Sequence, residues 1–151
     1  MKPKEKFHRI GPRLYMGERP PPDPRIGEVF DVVVLTSYEY QPKAGDYGRA
    51  YIRNVPLDDS DDKPPTRFEK ETAEEAGREV ADWVRRGKRV LVTCWQGRNR
   101  SGWVTGIALI ELGVPAEKAI HAIRYSRGAR ALSNDFFVDE LRKYKRRSRA
   151  A

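Results

Sequence analysis

The chain has 151 residues, 34% of them charged, one cysteine, and a net charge of +8 from 30 Lys+Arg against 22 Asp+Glu. That length supports a single domain with its own core, and a lone cysteine excludes a framework of internal disulfides, which suits a reducing, cytoplasmic setting. The basic excess favours an anionic partner (phosphate, nucleic acid or a lipid surface) without choosing among them.

The N-terminal "MKPKEKFHRIGPRLY" is charged and leads into no apolar signal core. "RLYMG" (13–17) reads as a short strand and "ERPPPDPR" after it as a stiff linker. "VFDVVVLTS" (29–37) contains the continuous β-branched run expected of a buried, parallel strand, and Tyr38 and Tyr40 follow it where they can wall a pocket. "AYIRNVPL" (50–57) is the next strand and "DDSDDKPP" an acidic loop. Thr66 and Glu69 have capping-box spacing, which starts a helix through "RFEKETAEEAGREVADWVRR" that Gly87 closes. Phe68, Ala76, Val80, Trp83 and Val84 are expected on its apolar side.

"KRVLVTC" (88–94) is another buried strand, and the loop "WQGRNR" joins it to an apolar helix, 101–112, that ends at Gly113. The longest apolar stretch, "GWVTGIALIELGV", is too short for a membrane span and carries Glu111. Pro115 opens a further helix that Gly128 stops, and "SNDFFVDELRKYKRR" supplies the last. The basic tail, 143–151, is expected to be a solvated, frayed helix end, since a basic run alone does not specify nucleic acid. Strands that alternate with helices, followed by clustered helices, predict one α/β domain over 1–151: a short, mostly parallel central sheet flanked by helices. His8 and His121 form no pattern with Cys94, so a cysteine protease lacks its base, and one Cys with two scattered His makes no metal site.

Cys94 by itself could be a small buried hydrophobe. Its neighbours suggest more. A tight loop between a buried strand and a helix aims backbone N–H groups and the helix dipole at one point, which suits an anion. Gly97 lets the backbone turn closely around a ligand. A thiol at the base of that loop, beside Arg100, is set to act as a thiolate, facing a phosphate that the guanidinium grips with two parallel hydrogen bonds. These parts define a covalent route: attack on phosphorus, loss of an alcohol or phenol, then hydrolysis of the thiophosphate. Ser101 is placed to donate a hydrogen bond to the departing sulfur, Asn99 to tie the loop's own backbone, and Trp95 to pack or to reach the pocket rim. Gln96 and Arg98 complete the loop.

"CWQGRNRSG" (94–102) resembles the signature of the cysteine-dependent protein tyrosine phosphatases: Cys, five residues, Arg, then Ser or Thr. Its "GxNRSG" ending resembles that of the dual-specificity branch. "RLYMGERP", "VVVLTS", "YIRNVPLDDSDD" and "RGARALSNDFFVDELRKY" are similar, in the right order, to that branch's opening strand, second strand, acid-loop region and closing helix, so the likeness spans roughly 10–145. The resemblance implies a dual-specificity-phosphatase-like fold, Cys94 as nucleophile, Arg100 on the phosphate and no cofactor. It also implies an aspartic acid that protonates the leaving oxygen. The family's "PxxD" spacing, laid on Pro56, selects Asp59, with Asp58, Asp61 and Asp62 as neighbouring alternatives. Most members carry His before the cysteine; Thr93 stands there, offering a hydroxyl and no charge.

The implied substrate is phosphotyrosine in a protein, with phosphoserine and phosphothreonine. A phosphoinositide or an RNA 5′ phosphate is the alternative, and a silent phosphate-binding module belongs to another class. Trp95 and Gln96 occupy loop positions where phosphoinositide enzymes of this superfamily often carry lysine.

Overall fold

A computed structural model of the protein describes residues 7–37, 43, 45–95 and 98–147. Its strands are β1 (Phe7–Gly11), β2 (Leu14–Glu18), β3 (Val32–Ser37), β4 (Tyr51–Leu57) and β5 (Val90–Cys94). They form one sheet in the order β1-β2-β5-β3-β4. β5 lies parallel to β2 on one side and to β3 on the other, β3 is parallel to β4, and β1 closes an antiparallel hairpin on β2. The sheet is thus mostly parallel, as expected, and the hairpin strand β1 was not foreseen. Helices cover one face: α2 (Arg67–Arg85), α3 (Arg100–Glu111), α4 (Ala116–Arg127) and α5 (Asp135–Lys143). The other face buries Phe30, Val33, Leu35, Tyr47, Ala50 and Leu91 beside the single-turn α1 (Ile26–Val29). With both faces covered, β3 and β5 are buried at every position, which is why they read as unbroken apolar runs.

Most boundaries fall within two residues of expectation. Within 29–37 the strand itself begins at Val32, because Val29 ends α1, which was not foreseen, and Phe30 caps that helix. Thr66 and Glu69 do close a capping box on α2, and Gly87 follows that helix at φ +85°. Phe68, expected on the apolar side, is 76% exposed. The buried stripe of α2 is Ala73, Ala76, Gly77, Val80, Ala81 and Val84. At about 100° per residue, Phe68 lies roughly 140° around the helix from Ala73, on the opposite face.

α3 is buried along its whole length. Gly77 lets it approach α2: a Cβ there would stand 2.4 Å from Ile107 Cγ2. Trp103 of α3 stacks on Phe137 of α5 with centroids 4.5 Å apart. Glu111 ends α3 buried and paired, holding the Tyr144 hydroxyl, the Arg147 backbone N–H at 3.0 Å and its Nε at 3.1 Å. Burial pushes Glu111 up, yet these donors outweigh it and hold the carboxyl below its usual range; Tyr144 is pushed up to about 12 by burial and by Glu111. The tail is therefore not a frayed helix end as far as residue 147: helix α5 stops at Lys143 and the chain is tied back through Arg147. Residues 148–151 lie outside the described ones. Among the described residues, no helix is long and apolar enough to cross a membrane.

Candidate active site

The carboxyl ends of parallel strands are where α/β sheets bind ligands, because loops and helix N-termini meet there. β5 ends on Cys94, and the chain turns through the loop into α3, whose first residue is Arg100. The Trp103 N–H, bonded to the Asn99 carbonyl at 2.9 Å, is the first to close the helical ladder, so the N–H groups before it face the loop. β4 ends at Leu57, paired with Ser37 of β3, and delivers Asp58 and Asp59 to the same edge. A cleft of about 300 Å3 results, lined by Asp58, Asp59, Cys94, Trp95, Arg98, Asn99 and Arg100.

Cys94 is 3% exposed, and its Sγ lies 3.1 Å from Ser101 Oγ. When the sulfur is a thiolate, the hydroxyl must be the donor. Arg100 is 7% exposed, and its Nη1 donates to the Leu57 carbonyl at 3.2 Å, which ties the loop to the end of β4. Asp59 accepts from Asn99 Nδ2 on Oδ2 (3.1 Å) and from Asn134 Nδ2 on Oδ1 (2.9 Å). The structure thus brings together Cys94, Arg100, Ser101, Asn99, Arg98 and both Asp58 and Asp59. Gln96, Gly97, Tyr38 and Tyr40 lie outside the described residues.

The structure also places Asn99, Trp95 and Thr93. Asn99 was expected to tie the loop's own backbone, part of which lies outside the described residues; among the described ones its amide reaches Asp59, Ser133 Oγ (3.2 Å) and the Asn134 N–H (3.2 Å). It caps α3 without a side-chain cap bond, so the amide is available to the segment before α5. Of the two places expected for Trp95, packed or at the rim, it takes the rim: it is 58% exposed, with the Arg19 guanidinium 5.1 Å over its ring. The Arg19 N–H bonds the Cys94 carbonyl at 2.9 Å, which places that cation beside the tryptophan. Thr93, where the family carries His, donates to the Val34 carbonyl at 3.1 Å and accepts on its own carbonyl from Thr36 Oγ1 at 2.7 Å. Its hydroxyl serves the sheet, not the sulfur.

Sequence reasoning missed Arg127, Arg19, Ser133 and Asn134. Arg127, on α4, meets His8 Nδ1 at 2.8 Å. Burial lowers its pKa, while Glu18 and Cys94 oppose that shift and Arg98 adds to it. Arg127 thus lies within electrostatic reach of the sulfur. None of these residues has a sequence spacing to Cys94 that marks it; Asn134 reads only as a helix cap. His121 is exposed and stacks on Tyr125, away from the site.

Ser101→Ala tests what the sulfur contact can do. Removing a donor to a charged leaving group costs about 10- to 100-fold in the step that expels it. The expected result is a lowered kcat with a burst of released phenol equal to the enzyme, because the thiophosphate would accumulate. Rapid-quench kinetics on p-nitrophenyl phosphate reads this; a lowered rate without a burst would assign Ser101 elsewhere.

No protein-family model and no curated protein sequence matches the chain. Solved structures do match in fold. Tk-PTP in its active form superposes with a TM-score of 0.74 at 24% identity, over 93% of this chain and 96% of that one. Human DUSP28 gives 0.72 at 24% identity, over 92% of each chain. PTPMT1 in complex with PI(5)P gives 0.71 at 17% identity, over 92% of this chain and 96% of that one.

Proposed function

We propose that this chain, which has the fold of the dual-specificity phosphatases, is a phosphoric monoester hydrolase that removes phosphate from phosphotyrosine, and from phosphoserine and phosphothreonine, in proteins. One observation carries the reading: a buried thiol at the mouth of a helix N-terminus, with the Ser101 hydroxyl at 3.1 Å, a buried arginine tied beside it, and a carboxylate held across the cleft.

In the first step the Cys94 thiolate attacks phosphorus. The Sγ–P bond forms as the P–O ester bond breaks, and the bond pair goes to the leaving oxygen, which takes the Asp59 proton. The Arg100 guanidinium and the α3 N–H groups hold the equatorial oxygens as charge spreads over them. In the second step water attacks phosphorus and gives its proton to Asp59. The S–P bond breaks, and sulfur leaves as a thiolate that receives the Ser101 hydrogen bond. Asp58 also lines the cleft, but Asp59 is the one fixed to both the loop and α5. Asp59→Asn is expected to lower kcat on phenyl phosphate by about 100-fold or more with KM little changed. A normal rate for that variant, beside a large loss in Asp58→Asn, moves the acid by one residue.

A second reading, hydrolysis of a phosphoinositide, is favoured by the fold shared with PTPMT1, which was solved with PI(5)P. Arg98, which lines the cleft, and Arg19, over Trp95 at its rim, also support it. Initial rates on a phosphotyrosine peptide, a phosphothreonine peptide, PI(5)P in mixed micelles and a 5′-phosphorylated RNA decide between them. The expected order puts the phosphotyrosine peptide first. PI(5)P first would establish the second reading.

A further inference from the structure

The Asp59 carboxylate is held from two directions, and the deeper holder is Asn134. Asn134 is 3% exposed. Its Nδ2 donates to Asp59 Oδ1 at 2.9 Å and to the Ser60 carbonyl at 3.0 Å, so it grips both the acid and the loop beyond it. Its Oδ1 meanwhile caps α5 by accepting from the Phe136 N–H at 3.0 Å. Asn99 Nδ2 holds the other oxygen, Oδ2, and divides its hydrogens between that oxygen at 3.1 Å and Ser133 Oγ at 3.2 Å.

The residue type is informative. A cap needs only an acceptor, and Ser or Asp supplies one as well as Asn does. Asn134 offers an acceptor to the helix and, on the same planar group, donors to the acid loop. Those donors answer no need of α5.

We propose that Asn134 is a positioning residue for the general acid: it pins Oδ1 so that Oδ2, the oxygen turned toward the nucleophile loop, carries the catalytic proton. The inference rests on the reading of Asp59 as the acid. Protonation turns Oδ2 from acceptor to donor, and the Asn99 amide then keeps Ser133 Oγ as its partner. In the first step the Oδ2 proton passes to the leaving oxygen as the P–O bond breaks. In the second, the attacking water returns a proton to Oδ2. In kcat/KM, which reports the first step alone, a carboxyl displaced from this pose costs rate only where the leaving oxygen needs that proton.

Wild type, Asn134→Asp, Asn134→Ser and Asp59→Asn are to be compared on aryl phosphates whose leaving groups run from phenol to dinitrophenol. A thermal melt of each variant accompanies the kinetics. Asp and Ser both keep a cap on α5 and lose the amide donor, so two folded variants probe one contact. The expected kcat/KM falls about 10- to 100-fold for phenyl phosphate and within about 2-fold for dinitrophenyl phosphate, a steeper dependence on leaving-group acidity. Asp59→Asn steepens it too, and Asn134→Ser adds nothing in the Asp59→Asn background. A wild-type slope in both Asn134 variants, with Asp59→Asn steepened, overturns the positioning role. So does an equal loss on every substrate, which is what a merely structural residue gives. A wild-type slope in Asp59→Asn overturns the underlying reading of Asp59 as the acid.

Discussion

Cys94→Ser folds as the wild type does and hydrolyses p-nitrophenyl phosphate at least about 10⁴-fold more slowly. The substitution is nearly isosteric at a site 3% exposed, so packing around β5 is kept. What changes is the nucleophile. A serine hydroxyl must lose its proton to attack, and an alcohol is a poor nucleophile unless a base takes that proton. The side-chain hydrogen bond that Cys94 makes is with the Ser101 hydroxyl, which is no base. His8 is engaged with Arg127. Quenching the wild type during turnover of a labelled substrate should trap phosphate on the protein, and the variant should trap none. Binding of vanadate should persist in the variant, because the loop N–H groups and Arg100 remain. Turnover that survives Cys94→Ser would place the nucleophile elsewhere.

Arg100→Lys is expected to lower kcat/KM by about 10²- to 10⁴-fold although the charge is conserved. A guanidinium presents parallel N–H groups to two phosphate oxygens, whereas an ammonium presents a point charge. Arg100 also spends one N–H on the Leu57 carbonyl, at the end of the strand that delivers Asp59. Lysine cannot serve the phosphate and that carbonyl in the same geometry, so the loss combines weaker phosphate binding with a loosened acid loop. Weakened vanadate inhibition measures the first part, and the slope of rate against leaving-group acidity measures the second. A loss under tenfold would show that charge alone suffices and that the forked geometry is dispensable.

Much of the chemistry was legible because it is contiguous. A strand, a loop of fixed length and a helix N-terminus lie within 94–102, so local backbone geometry alone brings Cys94, Arg100 and Ser101 to one point. The capping box on α2 is equally local, and it formed as its spacing predicts. Angular position around a helix was harder to read. Phe68 fits an apolar pattern by residue type but lies on the wrong side of α2, because the core chose the stripe beginning at Ala73. Trp95 left two readings open, packing or the rim, and its place in a loop over the cleft, under Arg19, decides for the rim.

By itself the sequence determined the mostly parallel α/β architecture, the grouping of Cys94, Arg100 and Ser101, and the segment that carries Asp59. Only the tertiary structure decided how the Asp59 carboxylate is held. Asn134 stands 75 residues from Asp59 and Asn99 stands 40 from it. Arg127 reaches the neighbourhood of Cys94 from a separate helix. No hydrophobic period or turn signal encodes such pairs, because a side-chain amide or a guanidinium suits a solvated surface equally well. Their partners are fixed only when the sheet order sets β4 and β5 on either side of β3 and α5 packs its N-terminus against the loop between them.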